Sequence, residues 1–183
     1  MKVIETDIPG VLIVEPATIG DARGFFIEMF QASRYAQYGI NAPFVQDNMS
    51  RSVHGTIRGL HLQEPNSQGK LVSALRGRIL DVAVDVRVGS PYFARHVAVE
   101  LSEDNRRQLW VPQGFAHGFA VISDTADVFY KCDAAYSQSD ELNVRWDDPA
   151  IGIRWGITNP ILSNRDAHAP LLSAIHRLPT FKP

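Results

Sequence analysis

A chain of 183 residues, 45% apolar and 21% charged, is long enough for about one domain with a core of its own and has the make-up of an ordinary globular protein. It is not disordered, collagen-like or a disulfide scaffold, since its single cysteine, Cys132, has no internal partner. Lys and Arg number 18 against 20 Asp and Glu, for a formal charge of -2, so no basic excess draws nucleic acid or an anionic membrane, although one pocket can still hold an anion.

The stretch from Met1 to Asp7 meets an acid at Glu5 and leads to Pro9-Gly10, without the apolar region of a signal peptide. No run of about 18 apolar residues follows, so no membrane span is expected and the expected location is the cytoplasm. Gly and Pro are scattered as turn punctuation with no repeat or linker, which predicts one domain over residues 1–183. Val11 to Glu15 and Gly24 to Phe30 read as strands, and Ser33 to Tyr38 as a short helix capped by Ser33 and stopped by Gly39. Leu71 to Leu75 is the next strand. Ile79 to Arg87 alternates: Leu80, Val82, Val84 and Val86 form an apolar face, and Asp81, Ala83, Asp85 and Arg87 a polar one. Val97 to Leu101, Gln108 to Val111, Gly118 to Ile122 and Asp127 to Asp133 follow as short strands. In the last of these Val128, Tyr130 and Cys132 share a face, which points Tyr130 inward. A further helix is expected within Asp166 to Arg177. Many short strands separated by turns predict an all-β sandwich or barrel with a few short peripheral helices; a jelly roll is the version that closes most edges around a cavity.

Two segments carry candidate chemistry. Gly55-Thr56-Ile57-Arg58-Gly59-Leu60-His61-Leu62-Gln63 sets Arg58 close to His61, and Pro112-Gln113-Gly114-Phe115-Ala116-His117 sets His117 after a Pro-x-Gly turn. They resemble the two motifs of cupins, jelly-roll proteins whose metal-binding members use three His and one Glu. Here Gln63 stands where the second His belongs, and Ser67-Gln68-Gly69-Lys70 fills the place of the Glu. Two His are too few for a three-ligand catalytic metal, a neutral amide is a poor substitute, and Lys70 repels a divalent cation. The expectation is a cupin-type pocket with no metal. Acid–base groups remain. His61, with an ordinary pKa of about 6.5, suits a general base. Tyr130 can pass a proton, Lys70 can stabilise an enolate oxygen, and Arg23 and Arg58 can hold phosphates. No Ser-His-Asp signature, P-loop or dinucleotide fingerprint occurs. Each of these residues also has a plain structural reading, and spacing alone stops at a jelly roll with a polar pocket.

Several segments together go further. Asp21-Ala22-Arg23-Gly24-Phe25-Phe26-Ile27-Glu28, Phe44-Val45-Gln46-Asp47-Asn48, Ile57 to Gln63, Asp81 to Arg87 with Gly89-Ser90-Pro91, Pro112 to Phe119, Trp146-Asp147-Asp148-Pro149 and Ser163 to Asp166 occur in one order. From about Pro9 to Asp166 the chain resembles the dTDP-4-dehydrorhamnose 3,5-epimerase family. The resemblance implies cofactor-free inversion of both carbons flanking the ketone of dTDP-4-dehydro-6-deoxy-D-glucose, a step toward dTDP-L-rhamnose. It implies that His61 is the base, Asp166 its partner, Tyr130 the proton donor on the other face and Lys70 the cation near the C4 oxygen. It further implies that Arg23 and Arg58 bind the diphosphate, and that Gln46, Asn48 and Glu28 contact the nucleotide. Phe26 then packs near the thymine, Tyr136 stacks on it, His117 lies near the sugar or phosphate, and Glu141 and Arg165 touch substrate. Where Arg165 stands, the family often has Lys. The resemblance also implies that Arg23, Phe26 and Glu28 reach the active site of the neighbouring subunit through exchanged strands, and so a homodimer. The competing readings are a C3-only or C5-only epimerase, a 3,4-ketoisomerase, a non-catalytic sugar-nucleotide binder and a metal-dependent oxygenase.

Overall fold

The computed structural model describes residues 1–41 and 43–182. Thirteen strands are present among them: β1 Lys2–Glu5, β2 Leu12–Glu15, β3 Thr18–Asp21, β4 Gly24–Ile27, β5 Gln46–Val53, β6 Ile57–Gln63, β7 Lys70–Arg76, β8 Arg78–Asp85, β9 His96–Ser102, β10 Gln108–Val111, β11 Phe115–Val121, β12 Thr125–Cys132 and β13 Glu141–Asn143. Two short helices, α1 Ala32–Ala36 and α2 Asn164–Ala167, and a 3-10 turn at Leu172–Ala174 are peripheral.

A six-stranded sheet in the order β1-β2-β10-β7-β12-β5 faces a five-stranded sheet in the order β13-β6-β11-β8-β9, while β3 and β4 form a separate hairpin. Neighbouring strands in both sheets are antiparallel, as short loops between sequential strands require. This is the jelly-roll architecture expected from the strand pattern.

Three apolar clusters hold it. Between the sheets lie Val72, Ile79, Ala83, Leu101, Leu109, Phe115, Phe119 and Val128 with their neighbours. A second cluster sits on the outer face of the five-stranded sheet, where Leu60, Leu62, Val82, Val84 and Val86 are covered by Val144, Ile151, Trp155 and Leu172. A third packs Tyr35 and Ile40 over Val14, Leu71 and Trp110 on the outside of the other sheet. Each fully buried Val, Leu or Ile contributes about 1.5–3 kcal/mol.

The second cluster corrects the two-faced reading of Ile79 to Arg87. Both faces of β8 are buried, and Asp81 and Asp85 are as inaccessible as Val82 and Val84. The valines face outward under the C-terminal segment, whereas Asp81 and Ala83 face the barrel interior. Asp85 is satisfied by Arg87 Nη2 at 2.6 Å and Ser90 Oγ at 2.6 Å, so its burial leaves no stranded charge.

Other expectations shift. The strand from Gly24 ends at Ile27, three residues before Phe30. The first helix begins at Ala32, and Gln31 rather than Ser33 caps it: Gln31 Oε1 accepts from Arg34 N at 2.7 Å. Gly39 follows with φ +82°, a left-handed conformation that suits Gly after a helix. The expected helix within Asp166 to Arg177 is two pieces, α2 and the turn at Leu172, because Pro170 cannot continue the first. The strand expected from Gly118 begins earlier, at Phe115.

Candidate active site

One end of the barrel is filled by the inner cluster. The other opens into a cavity of about 370 Å³ lined by Gln46, Asn48, Ser50, Arg58, His61, Gln63, Lys70, His117, Phe119, Tyr130, Tyr136, Glu141 and Arg165, with Leu62 and Gln68. Phe119 and Tyr130 also pack against the inner cluster and so form the floor.

Local structure explains who points in. On β5, Gln46, Asn48, Ser50 and Ser52 share the inward face and Asp47, Met49, Arg51 and Val53 the outward one. On β12, Tyr130 lies between Val128 and Cys132, opposite Asn48 on one side and Val72 on the other. Lys70 is paired with Cys132 in the neighbouring register. Strict alternation would put Arg58 and His61, three residues apart, on opposite faces of β6. A bulge prevents this: His117 pairs with His61 and Phe119 with Arg58, so two steps on β11 oppose three on β6. Gly118 is needed there, since an added Cβ would meet Arg58 O at 2.8 Å.

His61 Nε2 lies 2.6 Å from Asp166 Oδ1. Asp166 is presented by α2, whose cap Ser163 accepts from the Asp166 N–H at 3.1 Å. Burial works against the Asp166 charge, but the His61 bond and charge, Ser163 and Arg165 outweigh it and hold the carboxyl below its ordinary range. A carboxyl depressed on folding stabilises the chain above its unfolded pKa of about 4, and that contribution is lost as pH falls through the lower folded value. Asp166→Asn is therefore expected to flatten the acid side of the stability curve below about pH 4, as followed by denaturant unfolding at a series of pH values.

Opposite, on the six-stranded sheet, burial pushes the Tyr130 phenol up, so it is protonated at neutral pH. Burial pushes the Lys70 ammonium down, while Cys132, Asp81 and Glu141 act in the other direction. His117 Nε2 lies 2.9 Å from Asp81 Oδ1, and the other Asp81 oxygen is buried without a partner. Arg58 Nε donates to Ser52 Oγ at 3.0 Å. Toward the mouth, Gln46 Oε1 accepts from Tyr136 N at 2.8 Å, and Tyr136 Oη donates to Glu141 Oε2 at 2.9 Å. Arg165 bonds Glu141 through Nη1, with its Nη2 3.5 Å from His61 Nε2.

Ten of the anticipated residues thus line one cavity, with Asp166 directly behind His61. Arg23, Phe26 and Glu28 are not brought there within a single chain. Arg23 pairs with Asp21, Glu28 pairs with Arg34 at 2.7 Å, and Phe26 is 67% exposed on the hairpin. Sequence reading missed Ser50 and Phe119, which same-face parity with Asn48 and His117 would have found. Asp81 does not line the cavity; it is fully buried behind His117.

The cupin metal centre does not fit these residues. Gln63, at a ligand position, spends its amide on the scaffold: Nε2 donates to Asn66 O at 2.8 Å, and Oε1 accepts from Ser137 N at 2.8 Å. His61 and His117 each engage a carboxylate, and Lys70 puts a cation in the wall. Among the described residues no three His, Cys, Asp or Glu gather as a metal-ligating group.

Fold and site together define a cupin-type jelly roll whose cavity gathers a histidine, a tyrosine and a lysine, side chains that can exchange protons. The family described as dTDP-4-dehydrorhamnose 3,5-epimerase matches residues 5–174. A protein of that name from Shigella flexneri is 51% identical over 168 residues, covering 91% of this chain and 93% of the relative. The crystal structure of dTDP-6-deoxy-D-glucose-3,5-epimerase RmlC from Legionella pneumophila, in complex with dTDP-4-keto-L-rhamnose, is 48% identical, with a TM-score of 0.97 over 100% of this chain and 99% of that one. ChmJ, a 3'-monoepimerase from Streptomyces bikiniensis in complex with dTDP-quinovose, is 35% identical with a TM-score of 0.89, over 96% of this chain and 91% of that one. The chain belongs to the dTDP-4-dehydrorhamnose 3,5-epimerase family.

Proposed function

We propose that this chain converts dTDP-4-dehydro-6-deoxy-D-glucose to dTDP-4-dehydro-6-deoxy-L-mannose, in the cytoplasm, as a step of dTDP-L-rhamnose biosynthesis. The observation that carries the reading is the placement of His61, backed by Asp166 of α2, on one sheet and Tyr130 on the other, across a single cavity. Inversion at carbon needs a proton removed from one face and supplied to the other, and the two sheets provide the two faces.

In this mechanism His61 takes the proton from the carbon next to the ketone, and Asp166 stabilises the imidazolium that forms. The electron pair moves onto the C4 oxygen, where the Lys70 ammonium meets the developing enolate charge. Tyr130 then protonates the same carbon from the opposite face. His61 releases its proton to solvent and Tyr130 takes one up, and the steps then repeat at the second carbon. A proton next to a carbonyl is acidic enough once its enolate is held, so the chemistry calls for no cofactor. Arg58 binds the diphosphate, His117 the sugar or phosphate, Gln46 and Asn48 the nucleotide, Tyr136 stacks on the thymine, and Glu141 and Arg165 touch the substrate.

The remaining assigned residues require a second copy. The β3–β4 hairpin joins neither sheet, and it exposes Ile19, Phe25 and Phe26. Strand β5 is an edge of the six-stranded sheet, eight residues long, and its inward residues line the cavity. A free hairpin and a free edge beside the nucleotide end support a homodimer in which each hairpin delivers Arg23, Phe26 and Glu28 to the partner's site.

Incubation with substrate in D2O tests the reaction. Deuterium entering at C3 and C5 is the expected result, and label at one carbon alone assigns the chain to single-centre epimerases such as ChmJ. Tyr130→Phe is expected to keep part of the C–H exchange but to cut formation of inverted product by about 10²-fold or more. Inverted product at the wild-type rate would remove Tyr130 from the donor role.

A further inference from the structure

We propose that Arg106 is the positioning residue of the β3–β4 hairpin, setting the angle at which Arg23 and Phe26 reach a second copy's cavity. The inference rests on the exchanged-hairpin reading above.

Adjacent residues of a strand point to opposite faces, so whatever holds Phe25 decides where Phe26 points. The Arg106 guanidinium lies over the Phe25 ring, 4.1 Å from its centroid, well within cation–π range. With Phe25 held toward its own chain, Phe26 faces away from it. Arg106 Nε is buried and has no hydrogen-bond partner, so the ring contact takes the place of a polar one.

The base of this strut is firm. In the turn between β9 and β10, Ser102 N donates to Asn105 Oδ1 at 3.0 Å, Asn105 N to Ser102 Oγ at 3.1 Å, and Arg106 N to Ser102 O at 2.8 Å. The next residue, Arg107, donates through Nε to Glu15 Oε1 at 2.9 Å. Glu15 ends β2, and the hairpin begins at Thr18. Arg107 therefore pins the point where the chain departs for the hairpin, and Arg106 lies on the hairpin itself. Arg106 also has φ +53°, a left-handed backbone that Gly would adopt without strain. An arginine there is disfavoured locally, and the contact it makes in return is Phe25.

That conformation supplies the test, because Arg106→Gly removes the guanidinium while suiting the backbone. The variant is expected to melt no lower than the wild type and to remain dimeric by light scattering. Its KM for the dTDP-sugar substrate should rise about two- to fivefold with kcat nearly unchanged. Arg106→Lys, which keeps a cation for the ring, should recover most of that loss. An unchanged KM in Arg106→Gly, in an assay where Arg23→Ala raises KM, overturns the role of Arg106 and leaves hairpin exchange standing. An unchanged KM in Arg23→Ala together with a monomeric wild type overturns the exchange itself.

Discussion

His61→Asn lowers kcat by about 10²–10⁴-fold, the usual contribution of a positioned general base, while dTDP affinity stays close to wild type. The asparagine amide falls short of Asp166, which His61 reaches through Nε2 at 2.6 Å, but Ser163 still accepts from the Asp166 N–H, so α2 keeps its cap while no basic nitrogen is left to accept a proton. The residues proposed to contact the nucleotide within this chain, Gln46, Asn48 and Tyr136, bond one another and not His61. Two measurements separate these effects: calorimetric titration with dTDP, and deuterium wash-in to the substrate followed by NMR. Exchange at the wild-type rate in the variant means that another group is the base. Loss of dTDP binding along with exchange means that His61 holds the site together instead of moving protons.

Lys70→Met is the second large effect, and it runs in two directions. Removing a fixed cation from a developing oxyanion lowers kcat by about 10²–10³-fold. Stability should hold or rise. Lys70 is only 8% exposed, and burial holds its ammonium below the ordinary lysine pKa of 10.5. A lysine whose pKa is depressed on folding opposes folding at neutral pH, and the penalty fades as pH rises through the folded value toward the unfolded one. Methionine keeps the length of the side chain without the charge, and Asp81 keeps its His117 partner. Activity falling while the urea midpoint holds or rises fits a buried charge retained for catalysis. A midpoint well below wild type would show that the ammonium secures the cavity wall.

Much of the site was legible because its chemistry is local. Arg58 and His61 sit in one strand, Gln46 and Asn48 in another, and the Pro-x-Gly turn before His117 stands beside it in the chain. The parity of Val128, Tyr130 and Cys132 was enough to turn Tyr130 inward, because apolar neighbours on the same face mark the buried side of a strand. Strand parity failed where a second layer covered the sheet. Leu80 to Val86 marked an apolar face correctly, but that face is the outer one, packed under Trp155 and Leu172. The polar face with Asp81 is the interior, and alternation cannot reveal which side of a doubly covered strand holds the cavity.

The residues themselves settled the strand-rich architecture, the family and the inventory of acid–base groups, since these follow from periodicity, turn chemistry and motif order. Tertiary structure alone decided three things. The bulge in β6 turned Arg58 and His61 to one face, α2 brought Asp166 across more than a hundred positions to His61, and the sheet order left the Phe26 hairpin outside its own barrel. Register and long-range pairing depend on how whole sheets pack, and no local pattern of side chains encodes that.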